Sequence, residues 1–433
     1  MKRIAITVLI VLFSVCVVYS EGAEYCLIKN AKIRPVVGEK IDNGCILIKN
    51  GKIHKIAKDI PPPVDAAVID AAGMYVYPGF IDAYTHLGLI EISSISATVD
   101  TRELGKENPE LKVVWAINPH SVHFGTGRIN GTTTALVAPS SGTFPGITAL
   151  VKMDGWTIDE MVVDDEATSI INFPISPKPT RAARLQKEKE TKIDITEKLV
   201  EKIKEYLAEA RRYQELKKIA QKNENISAPV MNPKFEALGP VLNGELPVII
   251  RVEKAKDIKL AIKFAKEEKL NVIFFGCAQG YMVADKIAKA KIPVILDSLY
   301  TRPTTADEPY DAQWTNPAKL VEAGVTICFS SGGSPAMAKD LPYHAARAVA
   351  FGLDHEEAIK ALTINPAKVF GVEDKIGSIE IGKDADLFIT NGDPLDARSE
   401  VKCLFIDGKK IDLSNWWEDL YNKWRNRPRD ISN

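Results

Sequence analysis

Histidine is scarce in this chain: six residues in 433, at positions 54, 86, 120, 123, 344 and 355. That leaves little material for a centre built on clustered imidazoles, since a zinc site takes three or four protein donors. Cysteine does not make up the shortfall. Its six residues form no dense framework and no C-x-x-C pair, so neither a disulfide scaffold nor a paired-cysteine motif is expected. An excess of one charge is also missing. With 56 Lys and Arg against 57 Asp and Glu the formal net charge is -1, too balanced to hold nucleic acid or an anionic membrane by bulk electrostatics. No apolar run is long enough for a comfortable transmembrane helix. The longest, Ile4–Val18, follows Lys2 and Arg3 and leads into Val18-Tyr19-Ser20. This is the pattern of a secretory signal over residues 1–20, with an uncleaved anchor as the alternative. The mature chain is therefore expected to be exported, periplasmic or extracellular, with no membrane span.

What is present reads as a soluble globular protein, with 45% hydrophobic and 26% charged residues. Both ends are rich in hairpins. Cys45–Lys49, then Asn50-Gly51, then Lys52–Ile56 reads as strand, type I′ turn, strand. Ile376–Glu380, Ala385–Ile389 and Val401–Ile411, around Asp407-Gly408, repeat the style, so residues 24–77 and 376–413 are expected to build one composite β-sandwich domain. Between them strand and helix alternate: Thr132–Val137, Pro247–Val252, Asn271–Phe275, Pro293–Leu296 and Val325–Phe329 are strand-like, with helical patterns between. About eight βα units across residues 78–375 predict an α/β TIM (β/α)8-type barrel, whose chemistry sits at the C-terminal ends of its strands. Residues 187–222 interrupt the series with a charged, amphipathic helical excursion, and residues 414–433 carry Trp416, Trp417, Tyr421 and Trp424 in an aromatic tail.

Residues Pro78–Gly88 read PGFIDAYTHLG. They resemble the PGFIDAHTHLG segment that opens the catalytic barrel of the amidohydrolase superfamily. Gly51-Lys52-Ile53, Val68–Gly73, Leu362–Ala367 and Gly377–Leu387 resemble the same family, and Ile117-Asn118-Pro119 and Phe235–Leu238 resemble exported members related to imidazolonepropionase and dipeptide-cleaving amidohydrolases. The resemblance covers essentially the whole mature chain. It implies the barrel, hydrolysis of C–N bonds, and a zinc or other divalent ion that activates water.

The ligands the resemblance implies are mostly absent. The His-x-His pair of the first strand is Tyr84-x-His86. The fifth-strand histidines are replaced by Arg251 and Glu253, the sixth-strand histidine by Gly276, and the eighth-strand aspartate by Gly332 after Ser331. The fourth-strand bridging ligand should fall in Ile170–Pro177, which has no acidic residue, with Lys178 just beyond. Metal ligands are therefore expected to be none, and a resident cofactor none.

Two readings follow. In the first, catalysis is lost and the chain is a pseudoenzyme, a non-catalytic subunit or ligand-binding relative. Arg251, with Tyr84, His86, Glu253 and Ser331, would bind a small anionic ligand, and Arg302, His344 and Asp340 would border the mouth. An Arg251–Glu253 pair that merely fills the vacated volume is the plainer version of this reading. In the second, the chain is an active C–N hydrolase on dipeptides or N-acyl amino acids, with a rearranged site in which His86, Glu253 and Asp297 are the catalytic candidates. Cys277 has no base predicted nearby except His86, so thiolate chemistry is weakly supported. Expected partners are a second copy or an active paralogue.

Overall fold

The computed structural model describes residues 24–174, 189–223 and 225–427. The signal expected over residues 1–20 and the lysine at 178 lie outside them. Strands are numbered along the chain. The N-terminal end forms β1 (Tyr25–Ile33), β2 (Ile41–Lys49), β3 (Lys52–Ala57), β4 (Ala67–Asp70) and β5 (Tyr75–Pro78). The barrel follows as β6 (Phe80–Thr85), β7 (Thr132–Val137), β8 (Ile147–Lys152), β9 (Val162–Asn172), β10 (Val248–Val252), β11 (Val272–Gly276), β12 (Val294–Leu296) and β13 (Ile327–Phe329). The chain then returns through β14 (Leu387–Thr390), β15 (Val401–Ile406) and β16 (Lys409–Ile411).

Both chain ends share one sheet, in the order β16-β15-β14-β5-β1-β2-β3. One edge of β1 is divided: residues 26–29 pair with β4 and residues 32–33 with β5. The predicted turn at Asn50-Gly51 joins Lys49 to Lys52, and both turn residues have positive φ (50° and 77°), as a type I′ turn requires. Asp407-Gly408 repeats it at 48° and 72°. Ile376–Glu380 forms no strand; Ile376 and Ile379 are buried in loop. All five described cysteines are free and buried, so Cys26, Cys45 and Cys403 behave as small apolar side chains.

The eight barrel strands run in sequence order from β6 to β13. Where these strands alternate, Leu136, Leu150, Ile249, Ile273, Ile295 and Cys328 fill the interior, while Val137, Val151, Ile250, Phe274, Leu296 and Phe329 face the outer core. One departure from a regular (β/α)8 series is clear. β8 is antiparallel to both β7 and β9, so two hairpin connections stand where crossover helices were expected. The barrel closes by side chain: the Ser331 backbone N–H (3.0 Å) and hydroxyl both donate to the Asp82 carboxylate on β6.

The helix Lys189–Lys222 is less solvated than its composition suggests. Val200, Ile203, Leu207 and Ala210 join the barrel's outer core, and Arg211 and Lys204 pair with Glu268 and Glu267 of the helix Ala255–Glu268. At the end of β8, buried Lys152 meets Asp386, Asp384 (3.3 Å) and Asp407 (3.2 Å), tying the barrel to the small sheet. Burial works against the charge on Lys152, but the three carboxylates outweigh it and hold its pKa above the ordinary lysine value.

Candidate functional site

Parallel strands deliver their C-terminal residues to one end of the barrel, and β6, β10, β11 and β12 bring Tyr84, His86, Arg251, Glu253 and Asp297 together there. The floor is aromatic. Tyr84 is buried and stacks on Phe275 with ring centroids 4.0 Å apart and planes 24° apart. The Arg251 guanidinium carbon lies 5.4 Å from the Phe275 centroid, so the cation rests over an aromatic face.

Around that floor stand two carboxylates. Arg251 Nη2 is 3.7 Å from Asp297 Oδ2, and its Nε is 4.0 Å from Glu253 Oε1. Both are ion-pair distances longer than a hydrogen bond, so neither carboxylate saturates the fork of guanidinium donors. Burial, and then the negative charge of Asp297, raises the Glu253 pKa from its ordinary value to about 7; Arg251 pulls it the other way. The Ala278 backbone N–H donates to Glu253 Oε2 at 3.4 Å, and the Ser298 backbone N–H to Asp297 Oδ1 at 2.7 Å.

Glycine makes room for these carboxylates. A Cβ at Gly276 would fall 2.6 Å from Glu253 Oε1, and one at Gly332 would fall 2.9 Å from Asp297 Oδ1. Both glycines also have φ in the left-handed region, at 96° and 79°. A side chain at either position, where the resemblance places a sixth-strand histidine and an eighth-strand aspartate, would strain the backbone and push the neighbouring carboxylate aside.

His86 is buried, and its Nδ1 lies 2.7 Å from the Ala138 carbonyl. A carbonyl only accepts, so Nδ1 carries the proton and Nε2 keeps its lone pair. Burial holds the imidazole below its ordinary pKa; the Ala138 bond opposes this, and Arg251 reinforces it. The ring is neutral and presents an acceptor.

The other expected residues are placed differently. Ser331 is committed to Asp82, a residue sequence reading passed over although it lies within the quoted PGFIDAYTHLG segment. Asp82 is fully buried, which lifts its pKa to about 7 against the pull of the Ser331 bonds. His344 is buried and its Nδ1 accepts from the Leu299 N–H at 3.1 Å, pinning the loop after β12. Arg302 is exposed on that loop, and Asp340 pairs with Lys339 at 3.5 Å. Asn172, at the end of β9, donates to the Ser140 and Gly142 carbonyls. Cys277 is fully buried with its pKa raised well above the ordinary thiol value, first by burial and then by Glu253; Tyr84 is raised to about 12 by burial. None of these is an activated nucleophile.

The divalent ion that the resemblance implies does not fit this donor set. Tyr84 stays a neutral phenol, and its hydroxyl is directed at the Pro139 carbonyl (3.4 Å). His86 is the sole imidazole among the mouth residues named above, and Arg251 adds a fixed positive charge. Among the described residues no three His, Cys, Asp or Glu side chains are grouped to hold a metal.

Comparison with known proteins places this arrangement. The amidohydrolase family profile matches residues 244–411. An amidohydrolase structure from Thermotoga maritima superposes with a TM-score of 0.80 at 31% identity, over 89% of this chain and 99% of that one. Imidazolonepropionase from Thermoplasma acidophilum is 23% identical, over 86% of this chain and 87% of its own length. The amidohydrolase tasK of Hapsidospora irregularis is 21% identical over 89% of this chain, which spans only 43% of that longer protein. With the Thermotoga maritima structure aligned over nearly its full length at 31% identity, the chain belongs to the amidohydrolase family.

Proposed function

We propose that this protein is a ligand-binding member of its family that does not carry out metal-dependent C–N bond hydrolysis, and that its barrel mouth takes a small anionic ligand. The supporting observation is Arg251, set over Phe275 and within ion-pair distance of two carboxylates without hydrogen-bonding either. A ligand carboxylate would find a bidentate donor there, and the unprotonated Nε2 of His86 would accept a hydrogen bond from a neutral N–H or O–H group on the same ligand. The pattern over residues 2–20 supports export to the periplasm or cell exterior, and an active paralogue is the natural partner for such a subunit. No helix among the described residues is long and apolar enough to cross a membrane.

The test combines elemental analysis with titration. Protein purified without a histidine tag and incubated with zinc and manganese should hold well under one metal per chain. Succinate and acetate should bind it, and Arg251→Met should weaken that binding roughly tenfold or more, as loss of a charge-assisted pair implies. One or two tightly bound ions per chain would sink the proposal.

A second reading rests on Glu253. A carboxyl near pKa 7 and a neutral imidazole at the same barrel mouth, both acted on by Arg251 and Asp297, are groups suited to proton transfer at neutral pH. In that reading the chain is a metal-free hydrolase on dipeptides or N-acyl amino acids. Turnover abolished by both His86→Ala and Glu253→Gln would favour it; turnover that survives both would point to contamination.

A further inference from the structure

The C-terminal helix Trp416–Arg425 lies on the barrel with no buried residue. Trp417, Tyr421 and Trp424 recur at i, i+4 and i+7, so they share one face, with Trp416 packed beside Trp417 at 4.9 Å. They are 51%, 61%, 58% and, for Trp416, 51% exposed. At 150–250 Å² for each aromatic side chain, the open area of these four is roughly 440 Å². That lies within the range of the largest apolar patch on an ordinary monomer, and is about half the roughly 800 Å² per partner of a standard interface.

The charges on the helix are segregated by turn. Glu418 and Asp419 occupy the first turn, Lys423 and Arg425 the last. At about 100° per residue Glu418 and Arg425 flank the aromatic stripe, whereas Asp419 and Lys423 lie on other faces. In an antiparallel pair of identical helices the first turn of each lies beside the last turn of the other, so each Glu418 meets the other copy's Arg425. An anionic lipid surface would repel the first turn; a copy of the same helix complements both ends.

We infer that this face is an isologous interface: a second copy of the chain covers it, aromatic stripe against aromatic stripe, with the two helices antiparallel. The inference is independent of what the barrel mouth binds.

Sedimentation of the full chain at micromolar concentrations tests it. The chain should run at twice the monomer mass, and Trp417→Ser with Trp424→Ser should weaken self-association at least about tenfold with the melting temperature retained. Glu418→Lys, and separately Arg425→Glu, should each weaken the dimer, and mixing these two variants should restore it. A wild-type monomer, or a dimer indifferent to all of these changes, overturns the inference. So does a monomer whose tryptophans are needed only for co-sedimentation with phosphatidylcholine–phosphatidylglycerol vesicles, which would assign the face to lipid.

Discussion

At the scale of single residues the site has a pH signature. The Glu253 carboxyl titrates at about 7 in the folded protein against an ordinary value of 4.5. Between those values the folded state holds a proton that the unfolded chain has released, so stability falls as pH rises through the window. Asp82, shifted from 3.8 to about 7, adds a second contribution of the same sign. Glu253→Gln should therefore flatten part of the decline in melting temperature between pH 4.5 and 7, and adding Asp82→Asn should flatten more. An unchanged slope in Glu253→Gln would show that its carboxyl is not buried as described. His344 works in the opposite sense: burial holds it near pKa 4 against an ordinary 6.5, so its contribution is present above pH 6.5 and is lost as pH falls toward 4. His344→Ala should destabilise by about 2 kcal/mol in chemical denaturation, because the buried Leu299 N–H then lacks its acceptor. Residue identity at the mouth was legible in the sequence, because Tyr84, Arg251, Glu253 and Gly276 fall at spacings the family fixes. Partnership was not. That Ser331 would answer Asp82, 249 positions away, and that His344 would hold a backbone N–H, depends on barrel closure and loop packing that no local pattern encodes.

Elements show the same division. Hairpins at Asn50-Gly51 and Asp407-Gly408 were readable because turn chemistry is local, and β7, β10, β11, β12 and β13 because β-branched runs between helices are. β8 was missed, since Ile147–Lys152 is flanked only by the loop from β7 and the four-residue helix Ile158–Met161, and its reversal shows only in pairing. That reversal carries Lys152 away from the mouth and into the small sheet, where it pairs with three aspartates. Lys152→Met should cost about 3–5 kcal/mol, because it leaves Asp386 buried and uncompensated beside two more acids. Combining it with Asp386→Asn should recover part of that loss in urea denaturation. Full additivity of the two changes would mean that the cluster is not coupled.

Across the whole molecule, barrel and composite sheet share one chain path that leaves and re-enters the sheet, with Gly79 N–H bonded to the Asp386 carbonyl at the junction. Substitutions at the mouth leave this joint untouched, because the joint and the mouth lie at opposite ends of the strands. Such a fold keeps its stability while its chemistry changes. The close approach at Gly276 and Gly332 gives these two positions an order of change. A histidine placed at 276 must adopt a left-handed backbone and displace Glu253, and an aspartate placed at 332 must displace Asp297. Each change is easier once the neighbouring acid has been shortened, so these positions accept an imidazole or a carboxylate more readily as second substitutions than as first ones.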